Sequence, residues 1–115
     1  MAFAMLDEKS PLTDLEQMTA SAREATGMMK ALAHEGRLMI LCFLADGEKS
    51  VSELEQLLQT RQAVVSQQLT RLRLEGIVDY RREGKAIYYH IRDERAARIL
   101  ELMYELYWVM PHYVV

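Results

Sequence analysis

The chain of 115 residues carries a net charge of −3, and half of its residues are hydrophobic. This length allows one small domain with a modest core, whose remaining apolar surface a dimer would help to bury. The single cysteine excludes an intrachain disulfide, and without a signal-like start or a run of roughly 18 apolar residues we expect a cytoplasmic protein off the membrane.

Two helices are predicted in the first part of the chain, after a flexible tail over residues 1–12. Thr13 and Glu16 have the S/T-x-x-E spacing of a capping box. Apolar residues at helical spacing continue from there to a break near His34. A second helix is predicted over residues 35–45, because its apolar residues share one face, and we expect His34 to cap or orient its start.

A pair of short helices separated by a tight turn is predicted next. Ser50 and Glu53 have the capping-box spacing, so the first helix of the pair should begin at about Val51. A three-residue turn with Thr60 as a possible N-cap leads into the second helix, which Gly76 should end as a C′ glycine. The polar face of this second helix is rich in Gln, Ser and Arg, which suits the base edges and phosphates of a major groove.

The hydrophobic period then changes from 3.6 to 2, which predicts a β-hairpin over residues 77–91 with Gly84 in its turn. Three cations at the tip make this hairpin a candidate wing that lies on phosphates or enters a minor groove, although an ordinary solvated hairpin is the alternative. The predicted DNA-contacting residues of the helix and the wing are Arg61, Gln62, Ser66, Gln67, Gln68, Arg71, Arg81, Arg82 and Lys85.

Charge is distributed unevenly along the chain. Residues 61–92 contain seven cationic and three acidic side chains, a net charge of +4, so the other 83 residues carry −7. One basic surface on an acidic body favours an oriented approach to DNA over diffuse adhesion.

A last helix is predicted after Asp93, which can serve as its N-cap. Its apolar residues are Ala96, Ala97, Ile99, Leu100, Leu102, Met103, Leu106 and Tyr107. A terminal helix of a small monomer can hardly bury so much apolar surface, so we predict that the two terminal helices form a dimer interface. The alternative is that they only close the core of the monomer. Residues 111–115 should form a C-terminal tail after a domain over residues 13–110.

The central block resembles the ArsR family of bacterial winged helix-turn-helix repressors. The resemblance is carried by A-x-A-H-E-x-R-L-x-I-L before the helix pair, S-Q-Q-L-x-R-L-R-x-x-G in its second helix and R-R-E-G-K-x-I-Y-Y in the hairpin, and it covers about Met28 to Tyr107. It implies a homodimer that represses from a palindromic operator and leaves when an inducer or oxidant changes its shape. Gln62, Ser66 and Gln67 match the family's exposed recognition positions, whereas Arg61 replaces the usual first Ser.

The resemblance also bears on the signal. The two common metal-site patterns of the family lack their ligands here, so we expect neither a metal nor another cofactor. Cys42 matches a cysteine of the subgroup that senses sulfide, persulfide or peroxide by joining it to a second cysteine, but Trp108 stands at that second position. Cys42 is therefore either a packing residue or a sensor that acts through one thiol.

Enzyme motifs are missing, and His34, His90 and His112 are far apart in the sequence. We therefore predict a mainly helical winged helix-turn-helix regulator, with the order α1-α2-α3-α4-β-β-α5, that represses transcription from double-stranded DNA as a homodimer. The alternatives are a winged-helix module that binds another protein and a repressor that senses thiol modification through Cys42 alone. An interaction face should show more exposed apolar anchors than this chain offers.

Overall fold

A computed structural model describes residues 11–109 of the chain. The tails predicted at the two ends lie outside these residues in large part, and so does His112. Among the described residues, no helix is both long enough and apolar enough to cross a membrane.

Helix α1 spans Pro11–Leu32. It begins two residues before Thr13, so the prediction that Thr13 is its N-cap is wrong. Proline is well suited to a first helical turn, because the N–H that it lacks would have no partner within the helix there.

The core of the region from Ala31 onward is formed by three short helices, α2 (Glu35–Ala45), α3 (Val51–Leu58) and α4 (Gln62–Leu74). Each contributes at least one completely buried leucine, and together these are Leu41, Leu54, Leu69 and Leu72. Burial of the apolar face of each helix is the main force that holds such short helices in place, since isolated helices of this length are marginal in water.

Most of the predicted helix starts are confirmed. The His34 Nδ1 atom accepts from the amide of Arg37 at 3.3 Å and caps α2. Ser50 and Glu53 form the reciprocal capping box of α3, with distances of 3.1 and 2.9 Å.

The N-cap of α4 differs from the prediction. Arg61, not Thr60, holds this position, and no side chain caps the helix. The turn before it includes Gln59 in the left-handed region, at φ 54°, which ends α3. Because no side chain covers the start of α4, its positive dipole end stays open to an anion.

The fold also contains a small antiparallel sheet. Its strands are β1 (Lys49–Ser50), β2 (Val78–Glu83) and β3 (Ala86–Ile91), in the order β1-β3-β2. The hairpin prediction is confirmed, with Tyr80 opposite Tyr89 and Glu83 opposite Ala86. Strand β1, which the sequence analysis did not predict, pairs with β3 just before α3 begins.

The hairpin turn has two residues, Gly84 and Lys85. Gly84 has φ +61° and Lys85 is not in the positive region, which is the pattern of a type II′ turn. Gly76 also adopts a positive φ, of +77°, directly after α4, as predicted for a C′ glycine.

Helix α5 spans Glu94–Tyr104 and continues as a π-helical segment over Glu105–Val109. Asp93 caps α5 by accepting from the amide of Arg95 at 2.8 Å, as predicted. Ala96 and Leu100 anchor the helix in the core. The predicted order of helices and hairpin strands is thus confirmed, and β1 and the π-helical segment are additions to it.

Candidate nucleic-acid interface

Helix α4 separates an apolar face from a polar one. Val65, Leu69 and Leu72 are buried, and they recur at the spacing of one helical face. Gln62 and Gln67 are exposed, whereas Ser66 is half-buried. Arg61 is exposed beside the uncapped start of the helix, where both its charge and the free amides attract phosphate.

Gln68 is turned towards the protein. Its Oε1 atom accepts from the Arg37 Nη1 atom at 3.2 Å, and the Arg37 Nε atom donates to the carbonyl of Ala31 at 2.7 Å. Arg37 is only 9 % exposed. The amide nitrogen of Gln68 is therefore the group left to reach a base edge, so Gln68 is better placed to orient α4 than to read DNA.

Arg37 was missed as a functional residue by the sequence analysis. It is the one cation within a helix whose other central residues are apolar, and that contrast was the available signal. The buried Arg37 guanidinium has hydrogen-bond partners at Ala31 and on α4. Breaking either contact would leave buried polar groups without partners, so Arg37 fixes the position of α4 relative to α2.

The three wing cations differ in their surroundings. Arg81 is held by Glu48, whose two carboxylate oxygens both accept from the Arg81 Nε atom at 3.0 Å, and it also approaches Glu83 at 3.5 Å. Its guanidinium lies 4.8 Å from the centre of the Tyr88 ring. The hydrogen bond from Arg81 lowers the pKa of Glu48, and the same bond raises the pKa of Arg81.

Arg82 and Lys85 are exposed and have no ion-pair partner within residues 11–109. The structure therefore divides the wing cations into one that is neutralised, Arg81, and two that are available, Arg82 and Lys85. On α4, Arg71 is likewise paired, with Glu75 at 3.3 Å.

A contact joins α4 to the wing. Arg73 of α4 lies with its guanidinium carbon 5.0 Å from the centre of the Tyr80 ring, and Tyr80 packs on Tyr89 with ring centroids 5.5 Å apart. A cation over an aromatic face is attracted by the ring quadrupole. This contact couples the orientation of the helix to that of the hairpin.

Cys42 lies on α2, outside the helix and the hairpin that carry the candidate DNA-contacting residues. It is a free, half-buried cysteine on α2, and burial raises the pKa of its thiol. A neutral thiol is a weak nucleophile. Cys42 and Trp108 line the same apolar groove between α2 and the end of α5, so the position that the resemblance assigned to a second thiol does lie near Cys42.

Within residues 11–109, no group of three or more His, Cys, Asp or Glu side chains is placed to hold a metal ion. His34 is engaged as the N-cap of α2, and His90 lies on β3 opposite Asp79.

Comparison with known proteins agrees with this geometry. Residues 34–80 match the profile of the bacterial regulatory protein, arsR family. The biofilm growth-associated repressor of Agrobacterium fabrum is 48 % identical over 93 residues, which cover 81 % of this chain and 80 % of that protein. The transcriptional activator HlyU of Vibrio cholerae is 37 % identical over 94 residues, which cover 82 % of this chain and 87 % of that protein.

Solved structures show the same fold. Reduced HlyU from Vibrio cholerae superposes with a TM-score of 0.78 at 37 % identity, covering 80 % of this chain and 97 % of that one. A homodimeric winged helix-turn-helix DNA-binding domain from Mycobacterium bovis gives a TM-score of 0.69 at 33 % identity, covering 78 % of this chain and 83 % of that one. The matched family and these relatives are regulators, which confirms the prediction of a transcription regulator as opposed to an enzyme.

Proposed function

Because the chain belongs to the arsR family of bacterial regulatory proteins and so is a DNA-binding transcriptional regulator, we propose that it represses transcription as a homodimer bound to an inverted-repeat operator and leaves the operator when it senses a signal. The observation that carries this proposal is the side-by-side arrangement of an uncapped, Gln-rich helix face and a wing tip with two unpaired cations. Because the bacterial chromosome lies in the cytoplasm, the proposal also locates the protein there.

Base recognition falls to α4 in this proposal. Gln67 projects from the side of α4 opposite its buried face, and Gln62 and Ser66 lie on the flank of that face nearer the start of the helix. We assign these three positions to the contact with base edges in the major groove. Arg61 and the helix start bind a phosphate, which fixes the depth of the helix in the groove.

The wing supplies anchoring without sequence information. Arg82 and Lys85 extend from the tip of a stiff two-residue turn and reach phosphates or the minor groove beside the site of α4. A protein-interaction module would present apolar anchors on α4 instead. The large exposed apolar residues of α4 are Val64 and Leu74, which are separated by almost three turns and form no patch.

Dimerisation is assigned to the two terminal helices, α1 and α5, and on α5 to its outward face. Leu102 and Leu106 lie four residues apart and are 54 % and 45 % exposed in the single chain. Adjacent apolar side chains of this size are normally covered in the functional assembly. The related domain from Mycobacterium bovis is described as homodimeric, which supports the same state here.

Selection from a pool of random double-stranded DNA, combined with light scattering, tests the proposal. We expect a dimer in solution and enrichment of an inverted repeat whose half-site centres are about 10–11 base pairs apart. Enrichment of a single half-site, or no enrichment over a pool selected without protein, would contradict it.

A further inference from the structure

An apolar groove of about 590 Å³ lies between α2 and α5, away from the basic surface. The α2 wall is made by Met39, Cys42 and Phe43, which share one helical face. Leu100 forms part of the opposite wall. This volume lies within the range of pockets that hold small organic ligands, so the groove is large enough for a signal molecule.

Two aromatic rings form one side of the groove. Tyr104 and Trp108 stack with centroids 6.0 Å apart and planes inclined by only 12°. Tyr107 packs edge-on against Trp108 at 6.4 Å and holds its orientation. Tyr104 is 55 % exposed and Trp108 is 41 % exposed, so their rings stay available to a ligand.

The charged side chains that line the groove are all acidic. Asp46 at the end of α2 and Glu101 on α5 both line it, and neither has an ion-pair partner within residues 11–109. Among the described residues that line the groove, none is cationic. Aromatic faces attract cations through their quadrupole, and the two carboxylates add a negative potential. The groove is thus complementary to a positive charge on an apolar body.

The dimer contact that we propose, through Leu102 and Leu106, would leave this groove open. Leu100, Tyr104 and Trp108 follow each other at intervals of four residues along one side of α5 and its π-helical extension. Leu102 and Leu106 are offset by two residues, which is about 200° around a helix. The face that we assign to the dimer and the face that lines the groove are therefore on opposite sides of α5.

The groove is also connected to the DNA-binding helix. Met39, Cys42 and Phe43 of the groove wall belong to the same helix, α2, as Arg37, whose Nη1 atom donates to Gln68 of α4. A ligand that shifts α2 would therefore move the group that orients α4. A ligand changes an equilibrium only if it binds two states differently, and α2 is the element through which such a difference would reach α4.

We propose that this groove binds hydrophobic organic cations and that such a cation is the signal to which the regulator responds. The role of the cation as a signal rests on the proposed function, whereas its binding is inferred from the groove alone. A ligand bound by apolar contact and charge needs no second thiol, which fits the presence of Trp108 where a bridging cysteine would be.

Trp108 is the only tryptophan of the chain, so its fluorescence reports on the groove directly. We would titrate the full chain with tetraphenylphosphonium and, in parallel, with tetraphenylborate, which has the same shape and the opposite charge. Tetraphenylphosphonium should change the emission of Trp108 with saturation and bind about tenfold more tightly than the borate. No saturable change, or equal affinity for the two ions, would overturn the site.

The double variant Asp46→Asn with Glu101→Gln should weaken tetraphenylphosphonium about tenfold and remove the preference for the cation. Both side chains are exposed, so the variant should fold. The matched control is Glu94→Gln with Glu105→Gln, which removes the same charge from α5 and its extension outside the groove. Equal losses in the two double variants would show that net charge, not the groove, selects the cation.

Operator binding separates this inference from the proposed function. If the protein without ligand binds the selected operator, tetraphenylphosphonium should release it from the unmodified chain and not, at the same concentration, from the Asp46/Glu101 variant. Binding of the cation with no change in operator affinity would overturn its role as the signal. Failure of the ligand-free protein to bind any DNA would contradict the proposed function, while the fluorescence titration would still decide the site.

Discussion

Glu48 limits how much positive charge the wing offers to DNA. Its carboxylate accepts several hydrogen bonds from Arg81, and the Arg81 guanidinium also makes a cation–π contact with the Tyr88 ring. Because both members of the pair are exposed, the pair adds little to stability. Its effect is to neutralise the Arg81 guanidinium within the protein.

The variant Glu48→Gln should release Arg81 and strengthen binding to operator and to scrambled DNA alike. One more phosphate contact per subunit should steepen the dependence of log K on log salt by about 1–2 for a dimer. Salt titrations of both DNAs, with Glu105→Gln as the control for the lost negative charge, measure this effect. A salt dependence identical to that of the unmodified protein would show that Arg81 never reaches DNA.

Asp93 makes the start of α5 sensitive to pH. Hydrogen bonds from the Arg95 side chain, at 3.1 and 3.2 Å, and from the Arg95 amide lower the pKa of Asp93 below its ordinary value of 3.8. A lowered pKa in the folded state adds stability that is present above the ordinary value and is lost as the pH falls through the folded value.

The variant Asp93→Asn keeps a good N-cap and loses the titrating charge. At pH 7 the unmodified protein should therefore have the larger free energy of unfolding, and the difference should shrink as the pH is lowered below the ordinary aspartate pKa of 3.8. Urea unfolding followed by circular dichroism at several pH values measures it. A difference that stays constant with pH would mean that the charge of Asp93 contributes nothing.

At the scale of elements, the local signals in the sequence were sufficient for most of the fold. The bounds of α2 and the first residue of α3 agree with the prediction, because capping and helical spacing act within a few residues. The positions of the hairpin strands and the role of Asp93 as the N-cap of α5 were also predicted from local patterns.

Features that depend on distant residues were not predictable. Strand β1 has only two residues and exists because Lys49 and Ser50 lie opposite Tyr89 and Tyr88. The Arg37–Gln68 bond spans 31 positions, and the Glu48–Arg81 pair spans 33. The sequence patterns therefore indicated candidate residues for DNA contact, but not that Gln68 and Arg81 are engaged within the protein.

The link between α2 and α5 is apolar and not covalent. Cys42 and Trp108 line one groove, and partial burial raises the pKa of the half-buried Cys42 thiol, which favours its neutral form. A thiol in this state reacts slowly with oxidants and persulfides, and it has no partner in the same chain. We therefore infer that Cys42 packs in the groove wall and is not the sensor.

Treatment with an organic persulfide should change operator affinity little, and intact mass should show at most one modified thiol per chain. In Trp108→Cys, a bridge between residues 42 and 108 should form if the two Cα atoms come within roughly 4.4–6.8 Å of each other, and operator affinity should then respond. A large release of the unmodified protein by persulfide, abolished by Cys42→Ser, would show that one thiol is enough.

At the scale of the whole molecule, the proposed dimer joins two basic surfaces. Placing an acidic charge in the predicted interface, by Leu102→Glu with Leu106→Glu, should convert the dimer to a monomer, because a buried carboxylate without a partner is costly. Light scattering measures the mass, and Leu74→Glu, at a position 77 % exposed on α4, is the control. If the double variant stays dimeric, Leu102 and Leu106 do not form the dimer interface.

The central claim is that α4 reads bases while the wing anchors the protein, and it is tested by comparing Gln67→Ala with Lys85→Ala on the selected operator and on a scrambled duplex. Gln67→Ala should cost about 1–3 kcal/mol of binding free energy on the operator and almost nothing on the scrambled DNA. Lys85→Ala should weaken both by the same factor. The opposite pattern, with operator preference lost on removal of Lys85 and kept on removal of Gln67, would contradict the account.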